Sequence, residues 1–486
     1  MTSPSSPVIL WFRRDLRLEE NPALRAAIAT GRPVLPVYIL DDAGDGRPLG
    51  AASLWWLDKS LRALDEQLRQ RGGRLILRRG NSEAELYRLI EETGADQIFL
   101  NRRFEPEAFQ LDADIAHGLR SNGVECHGFN ANLLTKPGTV LSGSGNPYRV
   151  FTPFLKTLLQ AVPERAASPA PEVLTVPSQP LSEAIEAWDL HPSKPDWSQG
   201  FDGTPGEAGA QAALARFIKL GLNDYVIGRD VPGRLGTSRL SAHLHFGEIS
   251  PRSLLRAVRY AAQKGQVDAL QADKFITEIG WREFSAHLLH HYPSMPHSAF
   301  RPEFDAMAWR SDPDGLKAWQ TGVTGYPMID AGMRELWATG WMHNRVRMVV
   351  ASFLIKHLQI DWRHGEAWFW DTLVDADLAA NVQNWQWVAG SGADAAPYFR
   401  IFNPVTQGEK FDPQGHYVRR WVPELRALPQ KWLHAPWTAP SSVLSEAGIM
   451  LGRTYPRPIV DHSFARARAL DALKAITERR REDEDL

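Results

Sequence analysis

"VLPVYIL" at residues 34–40, "LWWLDKSLRALDEQLRQRG" at 54–72 and "RLILRRG" at 74–80 follow one another closely in the chain. The first and third are short runs rich in Val, Leu and Ile, and the middle one repeats apolar residues at helical spacing before ending in Gly72. A strand, a helix and a second strand in this order make a crossover unit, and strands joined by a crossover run parallel. Working outward, "VILWF" (8–12), "DQIFLN" (96–101) and "VECHGF" (124–129) read as further strands, and "EAELYRLIEETG" (83–94) as a further helix. Residues 1–130 are therefore expected to form an α/β domain with a doubly wound, Rossmann-like parallel sheet.

The chain has 486 residues, more than one hydrophobic core sustains, so further domains are expected. From about 163 to 206 the text turns to "PERAASPAPEVLTVPSQP" and "LHPSKPDWSQGFDGTPGE", and we read 131–206 as an interdomain connector. Beyond it, "GAQAALARFIKLGLNDY", "SPRSLLRAVRYAAQKG", "ADKFITEIGWREFSAHLLHH" and "GWMHNRVRMVVASFLIKHL" all carry helical periodicity. Residues 207–486 are thus expected to be a larger all-α domain. Tryptophan follows the same division: of 18 in the chain, 13 lie between Trp281 and Trp437.

Several function classes lose ground on composition. No basic run followed by an apolar stretch opens the chain, and no segment approaches about 18 uninterrupted apolar residues, so a cytoplasmic protein without membrane association is expected. The single cysteine, Cys126, leaves no intrachain disulfide and no multi-cysteine metal site. Net charge is only −2, so any nucleic-acid surface must be a local patch. "VAGSGADA" lacks the full G-x-S-x-G elbow, "LSGSGNPY" is not G-x-G-x-x-G, and there is no P-loop. The histidines of "HLLHH" (287–291) lack the H-E-x-x-H pattern, and we expect packing histidines and no metal.

Four stretches carry candidate chemistry. In "LGTSRLSAHLHFG", Thr237, Ser238 and Ser241 stand at the start of a helical pattern, where a hydroxyl serves either as an N-cap or as part of an anion site. "GWMHNRVRMVVASFL" reads as one helix with Met342, Val346, Val349 and Phe353 on its apolar face and Asn344, Arg347 and Met348 on another. A buried arginine there needs an acidic partner, and "LVDADLAAN" supplies Asp375 and Asp377. "NVQNWQW" (381–387) sets two indoles one residue apart among amides. Such indoles admit core packing, stacking platforms for bases, or redox stations beside a chromophore.

These stretches, together with "WFRRDLRLEENPAL", "LSGSGNPYRVFTPFLK", "WREF", "TGYPMIDAGMREL", "DWRHGE" and "APYFRIFNPVTQGEKFD", resemble the photolyase/cryptochrome family in order along nearly the whole chain. The resemblance is greatest to bacterial photolyases for cyclobutane pyrimidine dimers. It implies a light-driven DNA repair enzyme holding FAD in the helical domain, where the cofactor carries the electron chemistry and the protein positions and tunes it. It further implies that Tyr225, Thr237, Ser238, Arg239, Leu240, Ser241 and Phe275 contact the flavin nucleotide. Arg347 with Asp375 would form the ion pair near the ring, beside Ala376 and Asp377, and Asn381 would face the ring's redox-active nitrogen. An amide there fits a reduced flavin, whereas plant cryptochromes carry an aspartate.

For the substrate, photolyases are themselves a stated example of enzymes that flip the target nucleotide out of the duplex. The resemblance implies that Glu278 hydrogen-bonds the dimer and that Trp281 and Trp387 form the apolar wall of its pocket. Asn344 and Met348 would add contacts, and Arg229, Arg345 and Gln407 would lie at the DNA backbone or the pocket rim. Trp385, Trp362 and Trp309 match the chain of indoles that reduces an oxidised flavin. The expected partner is dimer-containing DNA, double- or single-stranded, bound by a monomer. Asn344 stands where (6-4) photolyases have a second histidine, which disfavours that lesion.

For an antenna, Glu105 in "NRRFEPE" matches a folate contact, while "SMPHS" replaces the Cys-Lys pair of one folate-binding type. Methenyltetrahydrofolate is the first expectation and a deazaflavin the second. Trp55 and Trp56 suit either stacking on an antenna or helix-to-sheet packing. The rival expectation is a cryptochrome that signals without repair. Asn381, the set Glu278, Trp281, Asn344 and Trp387, and a chain that closes on "REDEDL" without a long tail all favour repair.

Overall fold

The strand Val8–Phe12 (β1) is buried along its whole length, with Val8, Leu10 and Phe12 in the apolar cluster on one face of a sheet and Ile9 and Trp11 in the cluster on the other. Such a near-continuous apolar run is the mark of a parallel strand covered on both sides. In the computed structural model, which describes residues 6–41, 46–163, 167–176, 180–193, 195–395 and 399–484, β1 is the centre of a five-stranded sheet. The motif residues Ala396 to Tyr398, parts of the Pro/Ser-rich connector, and the last two residues of "REDEDL" lie outside that description.

The other strands are Val34–Leu40 (β2), Ile76–Arg79 (β3), Gln97–Asn101 (β4) and Glu125–Phe129 (β5). Their order is β3-β2-β1-β4-β5 and every pairing is parallel, with Val8 opposite Val34 and Ile9 opposite Ile98. The expected doubly wound sheet is present, strand for strand. Helices Pro22–Ala29 (α1), Ala51–Arg69 (α2), Ser82–Thr93 (α3) and Pro106–Ser121 (α4) form the crossovers. Periodicity announces α2 and α3 but not α1 or α4. Their signals are local instead: Asn21 caps α1 by accepting from the Leu24 amide at 3.1 Å, and a proline opens each helix.

A helix within the connector, Phe151–Ala161 (α5), buries Phe151, Phe154 and Leu158 in the core of the helical region. The Pro-rich stretch after it returns to the sheet, where the Val34 amide donates to the Thr175 carbonyl and the Leu174 amide to that of Arg71, both at 2.9 Å. Leu174, Ile185, Trp188 and Leu190 join the sheet's apolar cluster.

The helical region runs through Glu207–Leu220 (α6), Tyr225–Gly228 (α7), Ser241–His245 (α8), Pro251–Gln263 (α9) and Ala269–His291 (α10). It continues through Pro313–Thr321 (α11), Pro327–Thr339 (α12), Asn344–Ser352 (α13), Trp362–Thr372 (α14) and Leu378–Ala389 (α15). Pro404–Phe411 (α16), His416–Trp421 (α17), Ser441–Glu446 (α18) and His462–Glu484 (α19) complete it. α15 packs against α10, α13 and α14, which places "NVQNWQW" at the centre. Among the described residues, no helix is long and apolar enough to cross a membrane.

One expected element begins late. "GWMHNRVRMVVASFL" is helical only from Asn344, because His343 takes an extended conformation and its Nδ1 accepts from the Arg345 amide at 3.2 Å as an N-cap. Met342, Val346, Val349 and Phe353 are nonetheless all buried as expected. Phe353 itself opens a π-helical turn, Phe353–His357, that interrupts the chain before α14.

Candidate functional site

Asp377 caps α15, its carboxylate accepting from the Ala380 amide at 2.9 Å. The cap fixes the helix register, so Asn381 and Trp385, one turn apart, face the same cavity. This cavity, of about 90 Å³, is closed on other sides by Asn344, Arg347 and Met348 of α13 and by Asp375 and Ala376. The three α13 residues expected to share a face do share it.

The charges here are ordered. Arg347 donates from Nη2 to Asp375 Oδ2 at 2.8 Å and from Nε to the Met342 carbonyl at 2.7 Å, so the expected ion pair is present. The other carboxylate oxygen, Asp375 Oδ1, is buried without a hydrogen-bond partner. A buried acceptor left open beside a cavity is suited to a donor on a bound group. Asn381 spends its Nδ2 on Glu366, donating to the backbone carbonyl at 3.1 Å and to Oε1 at 2.7 Å. Since both partners are acceptors, the amide orientation is set, and Oδ1 remains for the cavity. Burial opposes the charge of Asp377, but His245, Arg282 and the Ala380 amide outweigh it and hold the carboxyl below its ordinary range.

Trp385 is buried, and its Nε1 also lacks a partner. Its ring meets Phe369 edge-on at 5.0 Å and Trp319 at 6.2 Å. Gly365 makes the position available, since a Cβ there would stand 2.1 Å from the Trp385 ring. Trp362 is likewise buried, at the first turn of α14, whereas Trp309 is half-buried at the edge of the same apolar cluster. Exposure thus rises from Trp385 and Trp362 to Trp309.

A second cavity, of about 400 Å³, is lined by Thr237, Arg239, Ser241 and Trp341. α8 begins only at Ser241 and has no side-chain cap, so none of the three hydroxyls fills the N-cap role. Ser238 Oγ instead accepts from the Leu240 amide at 3.3 Å, and Leu240 is buried. Arg239 adopts φ +56°, an uncommon left-handed conformation for a long side chain, and its guanidinium sits 3.9 Å from the Trp341 ring centroid. Thr237 and Ser241 therefore line a cavity that a cation also borders. Trp55 and Trp56 reach its far wall as packing residues: both are buried, and Trp56 Nε1 donates to Glu248 at 3.1 Å.

Tyr225 and Phe275 line neither cavity. They meet edge-to-face at 5.4 Å within the aromatic core, and burial beside Glu278 pushes the Tyr225 hydroxyl far above its ordinary range. Glu278, on α10, is gripped by Arg229, which bonds both carboxylate oxygens, and by Lys274 at 3.1 Å. Arg345 pairs with Asp230 at 2.9 Å, linking α13 to the same cluster. Trp281 stacks flat on Phe151 at 3.7 Å between centroids, and Trp387 Nε1 donates to the Asp394 carbonyl at 3.1 Å. Gln407 stands half-buried on α16, outside both cavities.

Glu105 lies beyond the carboxyl end of β4, beside β1, where the crossovers that follow these two neighbouring strands lead to opposite edges of the sheet. It lines a cavity of about 60 Å³ with Arg14, Arg103, His245 and Arg282. Burial works against its charge, but Arg103 at 2.9 Å and Arg14 outweigh that and hold the carboxyl well below the usual range. Its second oxygen accepts from Arg103 Nε at 3.3 Å and from the Phe104 amide at 3.1 Å. Among the described residues no group of three or more His, Cys, Asp or Glu could hold a metal.

The structure adds residues that periodicity and composition did not single out. Phe151 backs Trp281, Gly365 admits Trp385, and Glu366 orients Asn381. The motifs "YRVFTPF" and "DWRHGE" contain all three, but only the fold shows what each one touches.

Known proteins resemble this chain in both regions. A family model described as DNA photolyase matches residues 8–173, and one described as the FAD binding domain of DNA photolyase matches 275–475. The chain is 50% identical to a deoxyribodipyrimidine photo-lyase of Agrobacterium fabrum, covering 98% of this chain and 99% of that protein. It is 40% identical to cryptochrome-1 of Arabidopsis thaliana, over 96% of this chain and 70% of that one. A crystal structure of a bacterial class III photolyase from Agrobacterium tumefaciens superposes with a TM-score of 0.95 at 50% identity, covering 98% of this chain and 99% of the other. On these matches over nearly its whole length, this chain belongs to the photolyase/cryptochrome family.

Proposed function

We propose that this protein repairs cyclobutane pyrimidine dimers in DNA, using light and bound FAD. One observation carries the reading: a single cavity is lined by the residues assigned to the flavin (Arg347, Asp375, Asp377, Asn381), by Trp385, assigned to electron delivery, and by Asn344 and Met348, assigned to the lesion. Cofactor and substrate would then meet directly, with no intervening protein.

The residues present suit FAD. Asp375 Oδ1 offers a buried acceptor, Asn381 offers its oxygen, and Thr237, Arg239 and Ser241 bring hydroxyls and a cation to the larger cavity for the phosphates. Bound there, FAD would supply the light-driven one-electron chemistry that opens the dimer's ring. The protein's part is placement and charge. Arg347 and Asp375 neutralise each other beside the ring site, and Trp385, Trp362 and Trp309 are assigned the delivery of an electron to oxidised flavin. Glu278 is assigned to the dimer; Arg229 and Lys274 share its Oε1, while Oε2 accepts only from Arg229 and keeps a lone pair for a base. Trp281 and Trp387 are assigned the apolar wall, and Arg229, Arg345 and Gln407 the DNA side, where phosphate contacts fix position rather than sequence. Tyr225, Phe275 and Leu240 are assigned to the flavin nucleotide, and all three are buried.

The same reading divides the chain at 1–130, 131–206 and 207–486 and expects a monomer. For the antenna it keeps methenyltetrahydrofolate first and a deazaflavin second. Both Glu105 oxygens already accept from Arg103 or the Phe104 amide, and Oε1, with a single bond from Arg103, keeps a lone pair for a chromophore donor. The absorption spectrum of the purified protein distinguishes the two chromophores.

The test is repair. Reduced, FAD-loaded protein incubated with dimer-containing DNA should remove dimers under blue or near-UV light and not in the dark. Dimer loss equal in light and dark would refute the reading and favour a photosensor of the cryptochrome type.

A further inference from the structure

Asn381 presents an acceptor to the cavity because Glu366 takes both of its N–H bonds, so whatever fixes Glu366 fixes the amide. Glu366 is buried, and its carboxylate accepts from Arg47 Nη1 at 2.8 Å on Oε1 and 3.0 Å on Oε2. Arg47 is 319 positions away in the chain, on the loop between β2 and α2. It belongs to the sheet region and not to the FAD-binding region.

Residues 47–51 are fastened to α14 on several sides. Trp370 Nε1 donates to the Pro48 carbonyl at 2.8 Å, and the Ala51 amide donates to Asp371 at 3.0 Å. The Arg47 guanidinium lies 4.3 Å from the Trp370 ring centroid. At Gly50 the backbones approach so closely that a Cβ would stand 2.2 Å from the Trp370 carbonyl oxygen. Arg47 is therefore delivered to Glu366 by a docked segment.

We propose that Arg47 is a positioning residue for the flavin-facing amide. It holds the Glu366 carboxylate where Oε1 accepts one Asn381 N–H, beside the backbone carbonyl that accepts the other, so that the amide oxygen and not its NH₂ faces the ring. The inference rests on the reading that flavin lies against Asn381. An oxygen at that point favours a ring nitrogen that carries a proton, as in reduced flavin; an NH₂ group favours a bare nitrogen, as in oxidised flavin. Without Arg47, a buried carboxylate deprived of its cation takes up a proton or turns away. A protonated carboxyl donates, which turns the Asn381 amide over.

The experiment uses the full-length, FAD-loaded protein, equilibrated in the dark with a redox dye, and reads the ratio of reduced to oxidised flavin by absorbance. Arg47→Gln is expected to lower the ratio about tenfold, the scale of one hydrogen bond to a charged group. Arg47→Lys keeps the charge but loses the planar group that lies over Trp370, and should lower it by about threefold. Asn381→Ala should lower the ratio, and adding Arg47→Gln to it should change nothing further, because the relay acts only through the amide. FAD content and thermal midpoint report folding. If Arg47→Gln fails to load FAD, Arg47→Lys decides, and a ratio equal to wild type then overturns the proposal. Additive effects in the double variant also overturn it, since they show a charge acting through space. If Asn381→Ala leaves the ratio unchanged, the flavin reading itself fails.

Discussion

Trp385 and Trp387 stand one residue apart in the chain and face different surroundings. Trp385 is sealed among Phe369, Trp319 and Gly365, while Trp387 is half-buried with Arg400 5.9 Å from its ring. Trp385→Phe should therefore block light-driven reduction of the oxidised protein and leave the affinity for dimer-containing DNA unchanged. Trp387→Ala should do the reverse, weakening lesion binding by about 1–3 kcal/mol, the range for losing a base-stacking ring. Photoreduction rates and DNA titrations check the pair; equal losses in both assays would refute the division. Glu335 gives a prediction in pH. Burial pushes its carboxyl up to about 7 despite the hydrogen bond from the Tyr417 hydroxyl at 2.6 Å. Its folded value exceeds its unfolded one, so its penalty is absent below the unfolded value, grows as pH rises to about 7, and is constant above that. Glu335→Gln should be more stable than wild type by about 2–3 kcal/mol at pH 8 and by much less at pH 5, measured by denaturant unfolding.

Among elements, the contact between α14 and α15 is the most sensitive. Gly365 lets the Trp385 ring lie against α14, and a methyl group would enter space that the ring occupies. Gly365→Ala should cost about 1–3 kcal/mol by overpacking and should also slow photoreduction, because the ring has to move. Unchanged stability and photoreduction would contradict the packing described. Element legibility followed the source of each signal. β1, β2, α2 and α3 were legible because burial on one or both faces leaves a run or a period in the text. α1 and α4 were not, since they start on caps and prolines rather than on a strong apolar stripe. The start of α13 was misplaced by the apolar residues before it, because Met342 is buried without being helical.

At the scale of the whole molecule, the site was legible as a set of motifs but not as a set of contacts. The ion pair of Arg347 and Asp375 could be expected, because a buried arginine demands an acid and one lies 28 positions on. The grip of Arg229 on Glu278 and the reach of Arg47 to Glu366 could not, since no local period relates residues brought together only by the fold. Nor did the Pro-rich text of the connector disclose that it is bonded back to β2 and buries Trp188 in the sheet cluster. What joins the scales is the cavity shared by Asn381, Trp385, Asn344 and Met348. The direct measurement is the fluorescence lifetime of the bound, fully reduced flavin, taken with undamaged DNA and then with dimer-containing DNA. If cofactor and lesion meet in that cavity, dimer-containing DNA shortens the lifetime and undamaged DNA does not. A lifetime indifferent to the dimer, with binding verified in the same sample, would contradict the account.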